Sequence, residues 1–196
     1  DGVCDDIPYA KKIPDKAVIK SWPTLEKNGL VFVWQDAEGN GPIPEQEPAR
    51  QGDCYSGELT DWQMAAIPIK SLGRELVDNM ADMAHFGPIH YSKVKSFKNT
   101  MEGHKFVQYM VGGHQILTEG DGGLITSVAT YEGPAYMTTT MTGLMDGHPM
   151  TTHLLVSHIP VDMNNFVINF GVMMKKDPNV SEAGNKAMVE EYTEKN

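Results

Sequence analysis

Cysteine is scarce in this 196-residue chain: there are two, Cys4 and Cys54. They form no C-x-x-C pair, so a zinc ribbon or a dithiol redox motif is excluded. Two separate thiols in a reducing compartment is a simpler reading than a disulfide. No apolar run approaches the roughly 18 residues that a transmembrane helix needs, and no secretory leader is visible. Positive charge is also short. Sixteen Lys and Arg stand against 26 Asp and Glu, a net charge of −10. A nucleic-acid binder shows the opposite sign on a clustered face. Phosphate-cradling patterns such as G-x-x-x-x-G-K-[ST] and G-x-G-x-x-G are missing, as is any Ser or Cys nucleophile motif. These absences leave a small molecule or another protein as the partner and the cytoplasm as the expected location.

Apolar residues make up 40% and charged residues 21%, a globular composition with room for one full core and part of a second domain. The chain opens at Asp1 rather than Met and closes on EEYTEKN, and it reads as an internal piece of a longer protein. Turn formers crowd residues 1–47. Between them lie two strand-like runs, 17–22 and 30–34, the second following Asn28-Gly29, a strong hairpin signal. GNGPIPEQEP reads as a linker. The run 72–85 is rich in Leu, Glu, Met and Ala and predicts a helix that Gly87-Pro88 should end. Strand signals follow at 105–111, 124–131, 136–142, 151–159 and 165–174, with hairpin loops at Gly112-Gly113, 120–123, Gly133-Pro134, 146–149 and 162–165. Sequential strands with short loops predict an antiparallel meander. A last helix is expected over 182–194.

One stretch carries chemistry: DNMADMAHFGPIH, residues 78–90. On a helix, Asp78, Asp82 and His85 share a face, with Asn79 beside them. His90 lies just past the helix end, where a turn can return it toward His85. Two imidazoles with a carboxylate and open positions form the facial arrangement of O₂-activating non-haem Fe(II). A further carboxylate beside a ligand imidazole fixes its tautomer. A single His-x₄-His pair is by itself usually structural, and acidic residues on a helix usually form a solvated face. Here they cluster among Met80, Met83, Ala84 and Phe86, and burying charge without a partner is costly. His104, His114, His148, His153 and His158 are scattered. Residues 153 and 158 point to opposite faces of one strand, which is no metal pair. Met137, Met141, Met145, Met150, Met173 and Met174 suit either a core or an adaptable apolar pocket.

The stretch closely resembles the iron motif of Rieske non-haem iron oxygenases, N-x-x-D-x-x-H-x-x-x-x-H, met here by Asn79, Asp82, His85 and His90. CDDIPYAKKIP, LVFVW, RELVDNMADMAHFGP and EGPAYMTTTMTG resemble the oxygenase components of 3-ketosteroid 9α-hydroxylases and related sterol-acting enzymes. The resemblance implies His85 and His90 as iron ligands. It implies Asp82 as the acidic bridge to the Rieske cluster of a neighbouring subunit, and Asn79 as a polar residue near the iron. Asp78 receives no role. The family's [2Fe–2S] ligands, C-x-H and C-x-x-H, are not in this sequence, because no His stands two or three positions after Cys4 or Cys54. The third iron ligand, a downstream carboxylate, is expected beyond residue 196. Asp162, Asp177, Glu190 and Glu191 are the late acidic residues in hand, and none sits in a matching motif.

The expected fold is therefore α+β. Residues 1–45 would be the C-terminal remnant of a Rieske β domain. Residues 46–196 would be part of a helix-grip (START-like) catalytic domain, with an antiparallel sheet around an apolar cavity. The implied activity is a monooxygenation of a steroid-like substrate by a terminal oxygenase with a mononuclear Fe(II) and a [2Fe–2S] cluster. Electrons would come from NAD(P)H through a ferredoxin or flavin reductase, and the subunits would form a homotrimer. This fragment alone is expected to be inactive. Two other readings share the pattern: a non-catalytic sterol- or lipid-binding module, and an aromatic-ring Rieske dioxygenase.

Overall fold

The computed structural model describes residues 2–52, 54–114, 123–133, 135–145 and 148–195, with the side chains of His114, Met145, His148 and Lys195 left aside. The expected turn residues 120–122, Pro134 and 146–147 lie outside the described residues. The chain divides into two compact units, Asp1–Arg50 and Gln51–Asn196.

The first unit is built on one hairpin, β1 (Thr24–Lys27) and β2 (Leu30–Val33). Asn28 and Gly29 join them with φ of 57° and 70°, the paired left-handed residues of a type I′ turn. Asn28 is buried, and its Nδ2 donates to the carbonyl of Ala49 at 2.9 Å, which ties the turn to the end of the unit. The strand expected over 17–22 does not form. Val18 makes only a single bridge to Val3, and the true partner of β2 starts after Pro23. Within the expected linker, Pro44–Gln46 forms one 3₁₀ turn.

The second unit is a seven-stranded antiparallel sheet in the order β3-β9-β8-β7-β6-β5-β4. Its strands are β3 (Gln63–Ile69), β4 (Ser92–Glu102), β5 (Lys105–His114), β6 (Ile125–Glu132), β7 (Tyr136–Met145), β8 (His148–Asp162) and β9 (Asn165–Met174). From β4 to β9 it is a simple meander, as the short loops predict. Two strands went unforeseen, and both are edges. β3 contains Pro68, which cannot donate to a ladder and so suits an edge. β4 carries Lys93, Lys95 and Lys98, charges that discourage further strand pairing.

Both helices, α1 (Gly73–Asn79) and α2 (Glu182–Lys195), pack on one face of this sheet. The register gives that face row by row. Asn99, Gln108, Ala129, Thr139, Leu154 and Val172 are mutual partners from β4 to β9, and Phe106, Tyr131, Met137, Val156 and Phe170 form the next row. α2 sets Val189 and Tyr192 on Val172, Met174, Leu154 and Phe170. Met80 and Val77, at the end of α1, sit on Ala129, Tyr131, Phe106 and Met137. The start of α1 lies so close to β8 that a Cβ on Gly73 would stand 3.0 Å from the His158 ring. Glycine is what permits that approach.

Candidate metal centre

The helix predicted over 72–85 stops at Asn79, after which the N–H groups of Met80, Ala81 and Asp82 donate to carbonyls three residues back instead of four. In a continuing helix the N–H of Ala84 would donate to the carbonyl of Met80, four residues back. Side chains occupy both halves of that missing bond. The Nε2 of Gln108, reaching from β5, donates to the Met80 carbonyl. Oδ1 of Asp82 accepts the Ala84 N–H at 2.8 Å, the local competition by which Asp unwinds helices. The chain then turns through residues 80–83, makes a 3₁₀ turn over Ala84–Phe86, and bends again where the N–H of Ile89 donates to the His85 carbonyl at 2.9 Å.

The shared helical face of Asp78, Asp82 and His85 is therefore overturned. Asp78 stays on α1 and pairs with Arg74 at 3.0 Å. Asn79 is exposed at the last turn of α1. Asp82 and His85 instead meet through the turn. Oδ2 of Asp82 lies 3.7 Å from Nδ1 of His85, and that nitrogen is buried with no hydrogen-bond partner. At 3.7 Å the carboxylate faces Nδ1 without a hydrogen bond. The Asp82 side chain is about half exposed and that of His85 only 13% exposed.

His85 and His90 stand edge to face, with ring centroids 5.2 Å apart and planes at 72°. An imidazole nitrogen lies about 2 Å from a bound transition metal, which puts each ring centroid roughly 3.2 Å from the ion. Two rings on one ion at octahedral to tetrahedral angles are then about 4.5–5.3 Å apart. The observed separation fits. Phe86 packs against both rings, at 4.4 Å from His85 and 5.6 Å from His90, and rests in turn on Phe97 of β4 at 5.8 Å.

Among the described residues no group of three His, Cys, Asp or Glu is placed to hold a metal. The late carboxylates have local duties. Asp162 accepts the Asn164 N–H and the Asn165 amide at the β8–β9 turn, with the Asn164 bond leading in holding it below the usual carboxylate range. Asp177 accepts the Asn179 N–H, Glu190 lies 3.7 Å from Lys186, and Glu191 is exposed on α2. His153 is buried on β8 with its Nδ1 3.1 Å from the Thr140 hydroxyl. His158 packs on Phe166, and His104 is exposed in the β4–β5 turn. No disulfide forms among the described residues.

Gln108 was missed by sequence reasoning, although a signal existed. It is a polar residue between Phe106 and Met110 on the buried face of an alternating strand, where an unpaired amide would be costly. Tyr131 gave no such warning. It is buried beside Met80, and burial pushes its phenol up to about 12.

The fold of this chain is shared with solved monooxygenase structures. Dicamba monooxygenase bound to 3,6 dichlorosalicylic acid aligns with 97% of this chain and 66% of its own, at a TM-score of 0.67 and 14% identity. The quaternary ammonium Rieske monooxygenase CntA in complex with an inhibitor covers 94% of this chain and 50% of its own, at 0.59 and 17%. At such identities the likeness establishes the fold, that of Rieske monooxygenase catalytic domains. The sequence goes further: residues 33–196 match the model of the 3-Ketosteroid 9alpha-hydroxylase C-terminal domain, and the chain belongs to that family. A 3-ketosteroid-9-alpha-monooxygenase oxygenase component of Rhodococcus rhodochrous is 40% identical over 98% of this chain and 51% of its own length. The chain thus spans about half the length of the curated relatives it matches. No helix among the described residues is long and apolar enough to cross a membrane.

Proposed function

We propose that the protein of which this chain forms part is the terminal oxygenase of a Rieske-type monooxygenase acting on a steroid-like substrate. The observation that carries this is the convergence of His85 and His90 at metal-sharing distance in the bend after α1. His85 and His90 would hold a mononuclear ferrous ion, and Asp82 would orient His85 through Nδ1. The third ligand would come from a carboxylate downstream of this chain. When bound, the iron supplies O₂ activation beside the substrate carbon.

The chain's own residues prepare that site. Asp82 spends one oxygen on the Ala84 N–H and turns the other to His85. Its partial exposure suits a residue meeting a neighbouring subunit's cluster domain, which is the reason for proposing a homotrimer. Phe86 and Phe97 give the imidazoles an apolar backing. Asn79, exposed at the helix end, would be a polar neighbour of the site rather than a ligand.

The residues present do not fit a [2Fe–2S] cluster, since neither cysteine has the required histidine neighbour. We place the cluster in sequence preceding this chain, with residues 1–45 as the tail of its domain. The exposed Val18, Ile19, Val31 and Val33 of that segment support such a setting. The resemblance supports a ferredoxin or flavin reductase drawing on NAD(P)H as electron donor, and the cytoplasm as the place of action.

The test is substrate-dependent NAD(P)H consumption by the intact protein with a reductase, comparing 3-ketosteroids with aromatic acids. Steroid-dependent turnover with a hydroxylated product is expected. Turnover on aromatic acids alone would make it a ring-hydroxylating dioxygenase, and steroid binding without turnover would make it a sterol-binding module.

A further inference from the structure

We infer that Gln108 is a positioning residue for the His85–His90 pair, acting by fixing the Met80 carbonyl at the start of the bend that carries Asp82 and His85. This rests on the reading of that pair as the metal site.

The argument is one of hydrogen-bond supply. Residues 80–84 contain Ala81, Met83 and Ala84, good helix formers, with no proline or glycine before Gly87. The chain already turns to bonds three residues back at Met80, Ala81 and Asp82, and beyond them the Gln108 amide fixes the Met80 carbonyl. Gln108 is 4% exposed and is held on β5 by pairing to Asn99 on one side and Ala129 on the other. Its amide therefore approaches from a rigid sheet rather than from a loop. Met80 itself is buried on Ala129 and Tyr131, so its carbonyl cannot turn to water for a replacement donor.

Were the Gln108 donor removed, the cheapest donor for the Met80 carbonyl is the Ala84 N–H. Forming that bond adds a turn to α1 and pulls the N–H away from Oδ1 of Asp82. Helical geometry then moves residue 85 by about 100° per residue around the axis, away from the bend that brings it to His90. Asp82 loses its anchor in the same event. Gln108 touches neither imidazole, so its influence passes wholly through the backbone of residues 80–84.

The test is Gln108→Met in the intact protein, with two readouts. The first is amide hydrogen exchange over residues 80–84, where an added helical turn gives slower exchange. The second is mononuclear Fe²⁺ affinity, measured by iron titration and by the electron paramagnetic resonance signal of the nitric oxide adduct. Slower exchange at 80–84 together with Fe²⁺ binding weakened about tenfold or more is the expected result. Adding Ala81→Gly, which disfavours the extra turn, is expected to recover part of the affinity. Unchanged exchange, unchanged Fe²⁺ affinity, or no recovery by Ala81→Gly overturns the inference. Should Gln108→Met lose its cooperative melt, Gln108→Asn replaces it under the same outcomes, since it keeps an amide that is too short to reach. His85→Ala runs in parallel. If it retains mononuclear Fe²⁺, the metal-site reading fails, whatever Gln108→Met does to the helix.

Discussion

Within residues 2–50 a single residue is buried, the polar Asn28, and Val31 of the hairpin is 73% exposed. Among the described residues of 51–195, α1 and α2 each cover a cluster on one sheet face, and Val172 and Met174 are almost wholly inaccessible. The first region is organised by a turn and a few side chain–backbone bonds: Asn28 to Ala49, the Trp34 indole N–H to Asn40, and the N–H groups of Glu38 and Asn40 to Asp36. The second is organised by apolar burial, the larger source of stability in most domains. The candidate metal-centre residues belong to the second region, and this is physically reasonable. Two imidazoles can be held to a fraction of an ångström only where the backbone beneath them is fixed by a packed sheet.

That contrast can be broken by substitution. The largest effect is expected from Met174→Ala on β9, which empties space against Val189 and Tyr192. Urea denaturation should register a loss of about 2–5 kcal/mol. A loss below 1 kcal/mol would mean that the α2–β9 contact does not carry the second unit.

Alkaline titration is the next lever. Burial pushes the phenols of Tyr131 and Tyr192 up to about 12, whereas unfolded tyrosines ionise near 10. Between those values the folded state holds protons that the unfolded state has lost. Stability is therefore constant on this account below pH 10 and falls as pH rises from 10 to 12. Absorbance at about 295 nm should show the phenols of Tyr131 and Tyr192 ionising late, and Tyr131→Phe should remove its share of that late rise. An unchanged titration in that variant would refute the burial of Tyr131.

Asn28→Ala is expected to cost the first unit about 1–2 kcal/mol, from a lost buried hydrogen bond and a left-handed residue without its usual occupant. Hydrogen exchange across β1 and β2 would report it. The smallest effect belongs to Val31→Ala, within about 0.5 kcal/mol. A cost like that of Met174→Ala would show that the hairpin face is buried in the intact protein.

Much of this architecture was legible from local pattern. Asn28-Gly29 announced its turn, β5 through β9 followed their alternation and punctuation, and α2 ran one residue past its expected end. The spacing of Asp82, His85 and His90 singled out the candidate site. What could not be read were features decided by distant residues. The Met80 carbonyl, just past the end of α1, finds its side-chain donor in Gln108, 28 positions further on. The face of β6 that carries α1 is built of Ile125, Ser127, Ala129 and Tyr131, so composition alone does not mark it as buried. Edge strands β3 and β4 hide because proline and lysine, which protect an edge, also resemble loop. The hairpin partner was misplaced to 17–22 because the β-branched run there is the more strand-like, yet Pro23 separates it from the turn.

The most direct test of the central claim is the iron content of the intact protein with and without the double change His85→Ala and His90→Ala. The account predicts about three irons per chain in the parent, two in the cluster and one mononuclear, and about two in the variant with the cluster's visible absorption unchanged. Three irons retained in the variant would contradict it.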